Sequence, residues 1–393
     1  MTDTPDPRIT PTNGRVAHVS LQGQVEAEKF VQGRRMMVTQ PMANITDEPR
    51  GRRVSQLLFG EIFHVLETYD GFAFGQAERD GQVGYMLSGA LVSPEEPTHW
   101  VTAPATHLYP KPDLKAPPEV AIFFGSPVKV VGERDDYFRI HTGHFIPRPH
   151  LQPMRARFGD PVGVADLFLG SPYLWGGSSR WGIDCSGLVQ MALLACGIDC
   201  PRDSDQQMVL GRELYHGEPF LRGDLVFWQG HVGFMANERM LLHANATHMA
   251  VAYEPLKDVG ARVEEAGGVL GSVTYMIPRL DEHLDSIFEI AARKGLDLDF
   301  HVDETSDPEA RSLAHIAEAA LRNRFEGKIV CGHCCSLARQ NAEEVDWTLD
   351  LVARAGVQVI SLPMCNMYLQ DRHSGRTPRW RGVTLLHEMT DRG

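Results

Sequence analysis

The sequence predicts an α+β chain made of several compact units, and three patterns along it support this. From about residue 36 to 150, short alternating apolar runs are separated by Gly, Asp and Pro, which is typical of small all-β units. Between 160 and 280 a helix precedes a pair of strands. From 283 onward, strand-like and helical segments alternate, which predicts parallel strands with short connections.

The composition is that of a globular protein with more than one domain. The chain has 393 residues, of which 43% are hydrophobic and 23% charged. Its formal net charge of −13 disfavours nucleic acid and anionic membranes as partners, because both repel an acidic surface. The start of the chain lacks a basic region followed by an apolar run, so we expect a cytoplasmic protein with reduced thiols. The oligomeric state stays open.

The first part of the chain is expected to hold three segments. Residues 1–35 are polar and irregular, and are expected to form a disordered arm. A weak internal repeat follows, in which Phe59-Gly60 and Phe124-Gly125 each precede an apolar run, an acidic turn and an aromatic residue. This repeat predicts two small Src-homology-3-like β-barrels, at 36–95 and 96–155.

Cys185 is predicted to lie in the first turn of a helix that begins near Asp184 and ends at Gly197. The first N–H groups of a helix lack intrahelical partners and its dipole favours negative charge, so this position is expected to stabilise a thiolate. A nucleophilic sulfur also needs a base with an orienting partner. A single buried cysteine is more often a small hydrophobic residue, so the prediction depends on the histidines.

His231 and His243 are predicted on two strands, at about 224–236 and 240–246. They are 12 residues apart across one hairpin, and this even separation places both imidazoles on one side of the sheet, opposite or diagonal to each other. One ring can then take the thiol proton while the other holds its tautomer. A lone strand histidine is usually structural, but the combination with Cys185 favours catalysis.

Five short motifs occur in the order and spacing found in NlpC-type papain-like peptidases. They are Pro172-Tyr173-Leu174-Trp175-Gly176-Gly177, Asp184-Cys185-Ser186-Gly187, Gly223-Asp224-Leu225-Val226-Phe227, His231-Val232-Gly233 and Leu242-His243-Ala244. With the barrels, residues 36–280 resemble the bacterial γ-D-glutamyl-L-diamino acid endopeptidases, also described as dipeptidyl-peptidase VI-like. The resemblance implies a papain-like cysteine peptidase domain at 160–280, preceded by two small β-barrels.

The resemblance also implies a role for each matching residue. Cys185 would be the nucleophile, His231 the general base, His243 the orienting residue and Tyr173 a hydroxyl donor to the oxyanion. The residues expected to line the substrate site are Trp175, Asp184, Ser186, Ser204 and, from the first barrel, Glu48 and Tyr85. Asp184 is equally suited to cap the helix, and an exposed barrel tyrosine often only packs. This chemistry requires no metal or other cofactor.

The expected reaction is acyl transfer on peptidoglycan-derived peptides during cell-wall recycling. The thiolate attacks the isopeptide carbonyl between D-glutamate and a diamino acid, a thioester forms, and water releases it. Independently of the resemblance, the backbone N–H of Cys185 is a suitable oxyanion donor, because it points out of a helix N-terminus. The preferred diamino acid stays open.

Residues 283–393 resemble the middle of cytosine deaminase-like metal-dependent amidohydrolases, and are expected to form a partial parallel βα segment, a TIM-barrel fragment. His301 would be a metal ligand, Glu304 the proton shuttle and His333 a further site residue, all near strand ends. The chain contains no His-x-His pair, which that family carries on its first strand. One histidine ligand cannot hold zinc, so the segment is expected to be inactive.

The elements predicted for this segment are strands at 296–302, 328–332 and 357–363 and helices at 308–325 and 342–355. The run Cys331-Gly332-His333-Cys334-Cys335 is expected to hold buried thiols, because adjacent strand residues point to opposite faces. Two alternative functions remain open. One is a metal-dependent amidohydrolase or deaminase that uses this segment, and the other is a non-catalytic module that binds cell-wall peptides.

Overall fold

The computed structural model describes residues 6–212, 214, 218–265, 269–274, 276–362, 380 and 382–392. The chain divides into two compact units, Met1–Leu256 and Lys257–Gly393. Within the described part, every helix is too short or too polar to cross a membrane.

A seven-stranded antiparallel sheet forms the first β-rich part. The strands are β1 Val16–His18, β2 Lys29–Val31, β3 Arg34–Val38, β4 Met42–Thr46, β5 Arg53–Leu58, β6 Ile62–Tyr69, β7 Phe72–Ala77, β8 Val83–Leu87 and β9 Leu91–Val92. Within the sheet the order is β5-β4-β8-β7-β6-β3-β9, while β1 and β2 pair separately. Ile45, Leu57 and Phe63 are fully buried and form its core.

Residues 6–35 correct the expectation of a disordered arm. They include β1 and β2, which pair in parallel, and Val16 and Ala17 are buried. The carbonyl of Arg8 accepts the N–H of Val83 in β8 at 2.7 Å, which fixes the segment to the sheet. The apolar residues of this stretch are scattered among polar residues, Pro and Gly, so the composition and irregular pattern indicated disorder. The residues before this segment lie outside the described part.

A second β part repeats the local features of the first. Its strands are β10 His99–Val101, β11 Ala105–Leu108, β12 Val120–Phe123, β13 Pro127–Val128, β14 Val130–Arg134, β15 Tyr137–Ile140, β16 Phe145–Pro147 and β17 Leu151–Pro153. Gly60 and Gly125 each follow a strand at a positive φ, of 83° and 92°. The acidic turns at Asp70 and Asp135 also have a positive φ, so the sequence repeat has a matching backbone.

An antiparallel sheet with a buried helix follows. The elements are α1 Pro161–Asp166, β18 Ser178–Ser179, β19 Gly182–Ile183, α2 Cys185–Ala195, α3 Ser204–Gln207, β20 Leu225–Trp228, β21 His231–Met235, β22 Met240–Asn245 and β23 Ala250–Pro255. The sheet order is β20-β21-β22-β23. Leu188, Val189 and Ala192 of α2 are fully buried and share a core with Val232 and Leu242 of the sheet.

The predicted strand at 224–236 is two strands. Trp228 pairs with His231, and the chain reverses between them at Gly230, whose φ is +71°. The apolar run hides this tight turn, because Gln229 and Gly230 interrupt it only briefly. The consequence is that His231 begins a strand of its own beside Trp228.

The second unit contains a parallel sheet. Its elements are β24 Leu270–Thr274, α5 Leu280–Lys294, β25 Leu298–Val302, α6 Ser312–Asn323, β26 Ile329–His333, α7 Ala342–Ala355, β27 Val357–Ile360 and α8 Leu386–Thr390, and α4 Leu256–Glu265 precedes them. The order is β24-β25-β26-β27 with parallel pairing throughout, as predicted for the last three strands. The predicted strand at 357–363 ends at Ile360, and its last residue lies outside the described part.

β24 and α5 were not predicted, and they move the boundary between the units. Sequence analysis assigns residues up to 280 to the peptidase domain, whereas β24 pairs with β25 in the second unit. The strand Leu270–Thr274 is short and contains Gly271 and Ser272, which weaken its β pattern.

Gly60 is expected to be intolerant of a side chain. A Cβ there would lie 1.9 Å from the carbonyl oxygen of Pro127, whereas a Cβ at Gly71 meets nothing within 4 Å at a similar φ. Both alanine variants carry the left-handed backbone cost of about 1–2 kcal/mol, and only Gly60→Ala adds a steric clash. Thermal unfolding should therefore show a lower midpoint for Gly60→Ala than for Gly71→Ala. Equal midpoints would contradict the close packing of the two β parts.

Candidate active site

Cys185 lies at the first position of α2, as predicted. Asp184 caps the helix, since its Oδ1 accepts the N–H of Gly187 at 2.8 Å. Gly197 follows the helix at a φ of +80°, which is the expected left-handed end. Cys185 is 5% exposed, and the backbone N–H groups of Val232 and Ser186 interact with its sulfur.

The resting charge of Cys185 differs from the expected thiolate. Burial, followed by the negative charge of Asp184, raises the pKa of Cys185 to about 11. The backbone N–H groups of Val232 on β21 and of Ser186 at the helix start lower the pKa, but they do not offset the loss of solvation. The thiol is therefore protonated at neutral pH, and a base must remove its proton.

His231 and His243 are in direct contact, as the even spacing predicts. Nε2 of His231 lies 3.0 Å from Nδ1 of His243, and the two residues are diagonal neighbours on β21 and β22. Burial, and then the neighbouring His243, lower the pKa of His231 to about 4. His231 is therefore neutral near pH 7 and can accept a proton.

Two neighbours of this histidine pair were missed by sequence analysis. The indole of Trp228 stacks on the ring of His231, with centroids 4.4 Å apart and planes at 21°. On the other side, Oε2 of Glu254 lies 3.2 Å from Nε2 of His243. Glu254 is on β23, two residues after Ala252, which pairs with His243. A prediction that β23 pairs with β22 would therefore have placed Glu254 beside His243.

Tyr173 lies close enough to Cys185 to interact with it electrostatically. Burial, with smaller contributions from Cys185 and Asp184, raises the pKa of Tyr173 to about 12. The phenol therefore keeps its proton and can act as a hydrogen-bond donor. An isolated bridge to Ile183, two residues before Cys185, holds the backbone of Tyr173.

Asp184 and Ser186 are engaged inside the protein. Oδ2 of Asp184 accepts Nη2 of Arg202 at 2.8 Å and the N–H of Gly176 at 2.7 Å. Nη1 of Arg202 lies 2.9 Å from the hydroxyl of Ser186. Both side chains are buried, so the structure places them as supports of the helix start. Arg202 was not predicted, because only the fold brings it to Asp184.

Ser204 and Trp175 occupy more accessible positions. Ser204 is half-buried at the start of α3 and follows Asp203, which binds Arg8. Trp175 is 66% exposed, and its carbonyl accepts a hydrogen bond from Nε of Arg53 in the first barrel at 2.7 Å.

Of the two residues predicted from the first barrel, Tyr85 bonds to the N-terminal segment and Glu48 to a nearby residue of β4. The hydroxyl of Tyr85 accepts the side-chain amide of Asn13 at 3.2 Å, and its ring packs on Phe74. Glu48 is exposed in the turn between β4 and β5, where its carbonyl accepts the hydroxyl of Thr46. Their described hydrogen bonds connect neither residue to Cys185 or the histidine pair.

In the second unit, His301 and His333 meet at the carboxyl ends of β25 and β26. Nδ1 of His301 is 3.1 Å from Nε2 of His333, and Nδ1 of His333 is 3.5 Å from a carboxylate oxygen of Glu304. The side chains of Cys331, Cys334 and Cys335 are buried, as predicted.

These residues do not fit a zinc ion. Zinc needs three or four donors directed at one point, whereas here His301 and His333 are directed at each other. Among the described residues, the group of three with donors close enough for a metal is Asp281, His315 and Glu318, which lies on α5 and α6.

Three families match parts of the chain. Residues 170–263 match the NlpC/P60 family, 45–91 match the bacterial dipeptidyl-peptidase Sh3 domain, and 232–393 match the Amidohydrolase family. Each resemblance made from the motifs is therefore confirmed at the level of the domain. The match at 45–91 lies inside the segment predicted as the first barrel.

Similar proteins cover different parts of the chain. A γ-D-glutamyl-L-lysine dipeptidyl-peptidase of Bacillus subtilis (strain 168) is 29% identical over 50% of this chain and 74% of its own length. A pterin deaminase of Rhizobium rhizogenes is 60% identical over 35% of this chain, which spans only 31% of that protein. A crystal structure of an NlpC/P60 family protein from Bacillus cereus ATCC 10987 has a TM-score of 0.51 at 20% identity, over 57% of this chain and 94% of its own. This structural similarity confirms the papain-like fold.

The ion pair between Asp184 and Arg202 is expected to dominate local stability. Its side chains are 8% and 1% exposed, and removal of one partner from a buried pair costs about 3–5 kcal/mol. The pair of Arg222 with Asp160 is about half exposed and should contribute at most about 1 kcal/mol. Urea unfolding should therefore separate Arg202→Met from Arg222→Met. Similar small losses in the free energy of unfolding of both variants would show that the pair of Asp184 with Arg202 does not stabilise the start of α2.

Proposed function

We propose that the NlpC/P60 domain of this chain hydrolyses the γ-D-glutamyl-diamino acid bond of cell-wall peptides, with Cys185 as nucleophile and His231 as base. The observation that carries the proposal is the buried contact of His231 with His243 beside the helix start that presents Cys185. The similarity to a γ-D-glutamyl-L-lysine dipeptidyl-peptidase supports the choice of bond.

In the first step, transfer of the Cys185 proton to His231 accompanies attack of the sulfur on the peptide carbonyl. Because the pKa of Cys185 is raised to about 11 and that of His231 is lowered to about 4, the thiol and the imidazole are both neutral at rest. His231 accepts the thiol proton as the sulfur attacks the γ-carbonyl of D-glutamate. Charge therefore develops only during the reaction, beside the buried side chains of Cys185 and His243.

Two donors are available to the oxyanion that forms on the carbonyl. The backbone N–H of Cys185 is at the N-terminus of α2, where the helix leaves it unpaired and its dipole favours negative charge. The hydroxyl of Tyr173 stays protonated because its pKa is raised to about 12. Both act without a metal.

The remaining steps return the enzyme to its resting state. The imidazolium of His231 gives its proton to the departing amine of the diamino acid, and a thioester remains on Cys185. His231 then takes a proton from water, which attacks the thioester and releases the γ-carboxylate of D-glutamate. The thiol of Cys185 regains its proton.

Peptide recognition is proposed to use the accessible residues of the predicted set. Trp175 exposes its indole and Ser204 lies at the start of α3, so both can touch a peptide. Asp184 and Ser186 act behind the site through Arg202. Roles for Glu48 and Tyr85, and the cytoplasmic recycling of wall peptides, stay predictions.

For the second unit we infer a partial parallel βα barrel of the amidohydrolase type. Four parallel strands alternate with helices, and the pterin deaminase relative supports this origin. A deaminase activity is not proposed, because His301, His333 and Glu304 do not offer the donors that zinc requires.

Cleavage of L-Ala-γ-D-Glu-L-Lys tests the proposal. The wild type should release L-Lys, and Cys185→Ala should be slower by about 10³-fold or more, because the nucleophile is lost. Cys196→Ala, which changes the residue that ends α2, is the control and should keep its activity. EDTA should leave the cleavage rate unchanged. Absent cleavage by the wild type, or equal cleavage by wild type and Cys185→Ala, would contradict the proposal.

The pH dependence of kcat/KM tests the role of His231. The base must be neutral, and its pKa is lowered to about 4, so activity should persist at pH 5 and fall about tenfold per unit below pH 4. Circular dichroism at each pH checks that the fold is intact. A fall centred near the ordinary histidine pKa of about 6.5 would contradict the assignment.

A further inference from the structure

We propose that Glu254 is a positioning residue that fixes the tautomer of His243 and, through it, that of His231, so that a free imidazole lone pair faces the thiol of Cys185. This inference rests on the proposed peptidase function for its kinetic part only. Its structural part concerns the unliganded protein.

Strand pairing places the carboxylate of Glu254 beside His243. The register of β22 with β23 sets His243 opposite Ala252 and Leu241 opposite Glu254. Because alternate residues of a strand share a face, Glu254 is a diagonal neighbour of His243. Their side chains are 7% and 1% exposed, so little water competes for the 3.2 Å contact.

The donors and acceptors along this chain follow from the carboxylate. In the proposed arrangement Glu254 is ionised and only accepts hydrogen bonds, so Nε2 of His243 carries the proton that points at Glu254. Nδ1 of the neutral His243 is then an acceptor, and Nε2 of His231 must donate to it. The free lone pair of His231 is therefore on Nδ1, which is left to receive the thiol proton of Cys185.

Glu254 also compensates the charge that the reaction creates. When His231 accepts a proton it becomes a cation in a position where burial and His243 already disfavour positive charge. The buried carboxylate of Glu254, one ring away, favours that cation. Trp228 covers the face of His231, so solvent cannot readily do the same.

A structural role alone makes a different prediction. If Glu254 only satisfies a buried N–H, its replacement by a neutral hydrogen-bonding residue changes stability but neither the tautomers nor the turnover number. Glu254→Gln is such a replacement, because its amide keeps the size but can either donate or accept. Glu238→Gln makes the same change in the exposed turn between β21 and β22 and is the matched control.

The test combines nitrogen NMR with steady-state kinetics. In wild-type protein labelled with ¹⁵N-histidine, both His231 and His243 should show a protonated Nε2 and an unprotonated Nδ1, with assignment from His231→Gln and His243→Gln. In Glu254→Gln the two histidines should no longer show a single protonation pattern. Its kcat should be lower by about 10- to 100-fold at unchanged KM, the size of effect seen when the hydrogen-bond partner of a metal-binding histidine is replaced. Glu238→Gln should change neither property.

Failure of the inference can be told apart from failure of the proposed function. A protonated Nδ1 on His243 in the wild type, or wild-type tautomers and turnover in Glu254→Gln, would overturn the role of Glu254. The wild-type spectrum reports the tautomer of His243 even if the Glu254→Gln variant does not fold. Absence of peptide cleavage with the expected tautomers would instead reject the peptidase function.

Discussion

The buried ion pair between Asp184 and Arg202 is the constraint on which the surroundings of Cys185 depend. One carboxylate oxygen of Asp184 caps α2, and the other binds Arg202 and the N–H of Gly176. Arg202 also reaches the hydroxyl of Ser55 in β5 at 3.3 Å. A single buried cluster thus joins the helix start, the loop before it and the β-rich part, which gives Cys185 a fixed position.

Burial of Cys185 and His231 also determines their charges before the reaction. It raises the pKa of Cys185 and lowers that of His231, so the resting pair is uncharged. A thiolate held in advance would need a cation beside it, and the nearest buried cation, Arg202, is already paired with Asp184. In the proposed reaction, proton transfer therefore accompanies attack, and the contacts of His231 with His243 and of His243 with Glu254 suit that step.

Local patterns predicted the centre of the site, and long-range contacts supplied the rest. Periodicity placed Cys185 at a helix start, and the even spacing of His231 and His243 placed their rings together. Arg202 and Glu254 carry no local signal, since an arginine in a loop and a glutamate at a strand end usually face solvent. The order in residues 6–35 was missed for the same reason, because its partners lie far along the chain.

The central claim is that acyl transfer passes through Cys185. Rapid acid quench of the reaction with L-Ala-γ-D-Glu-L-Lys, followed by mass spectrometry of the intact protein and its peptides, tests it most directly. We expect one L-Ala-γ-D-Glu acyl group per chain, on the peptide that contains Cys185 and removable by hydroxylamine. Turnover without any acylated protein, or an acyl group on another cysteine, would contradict it.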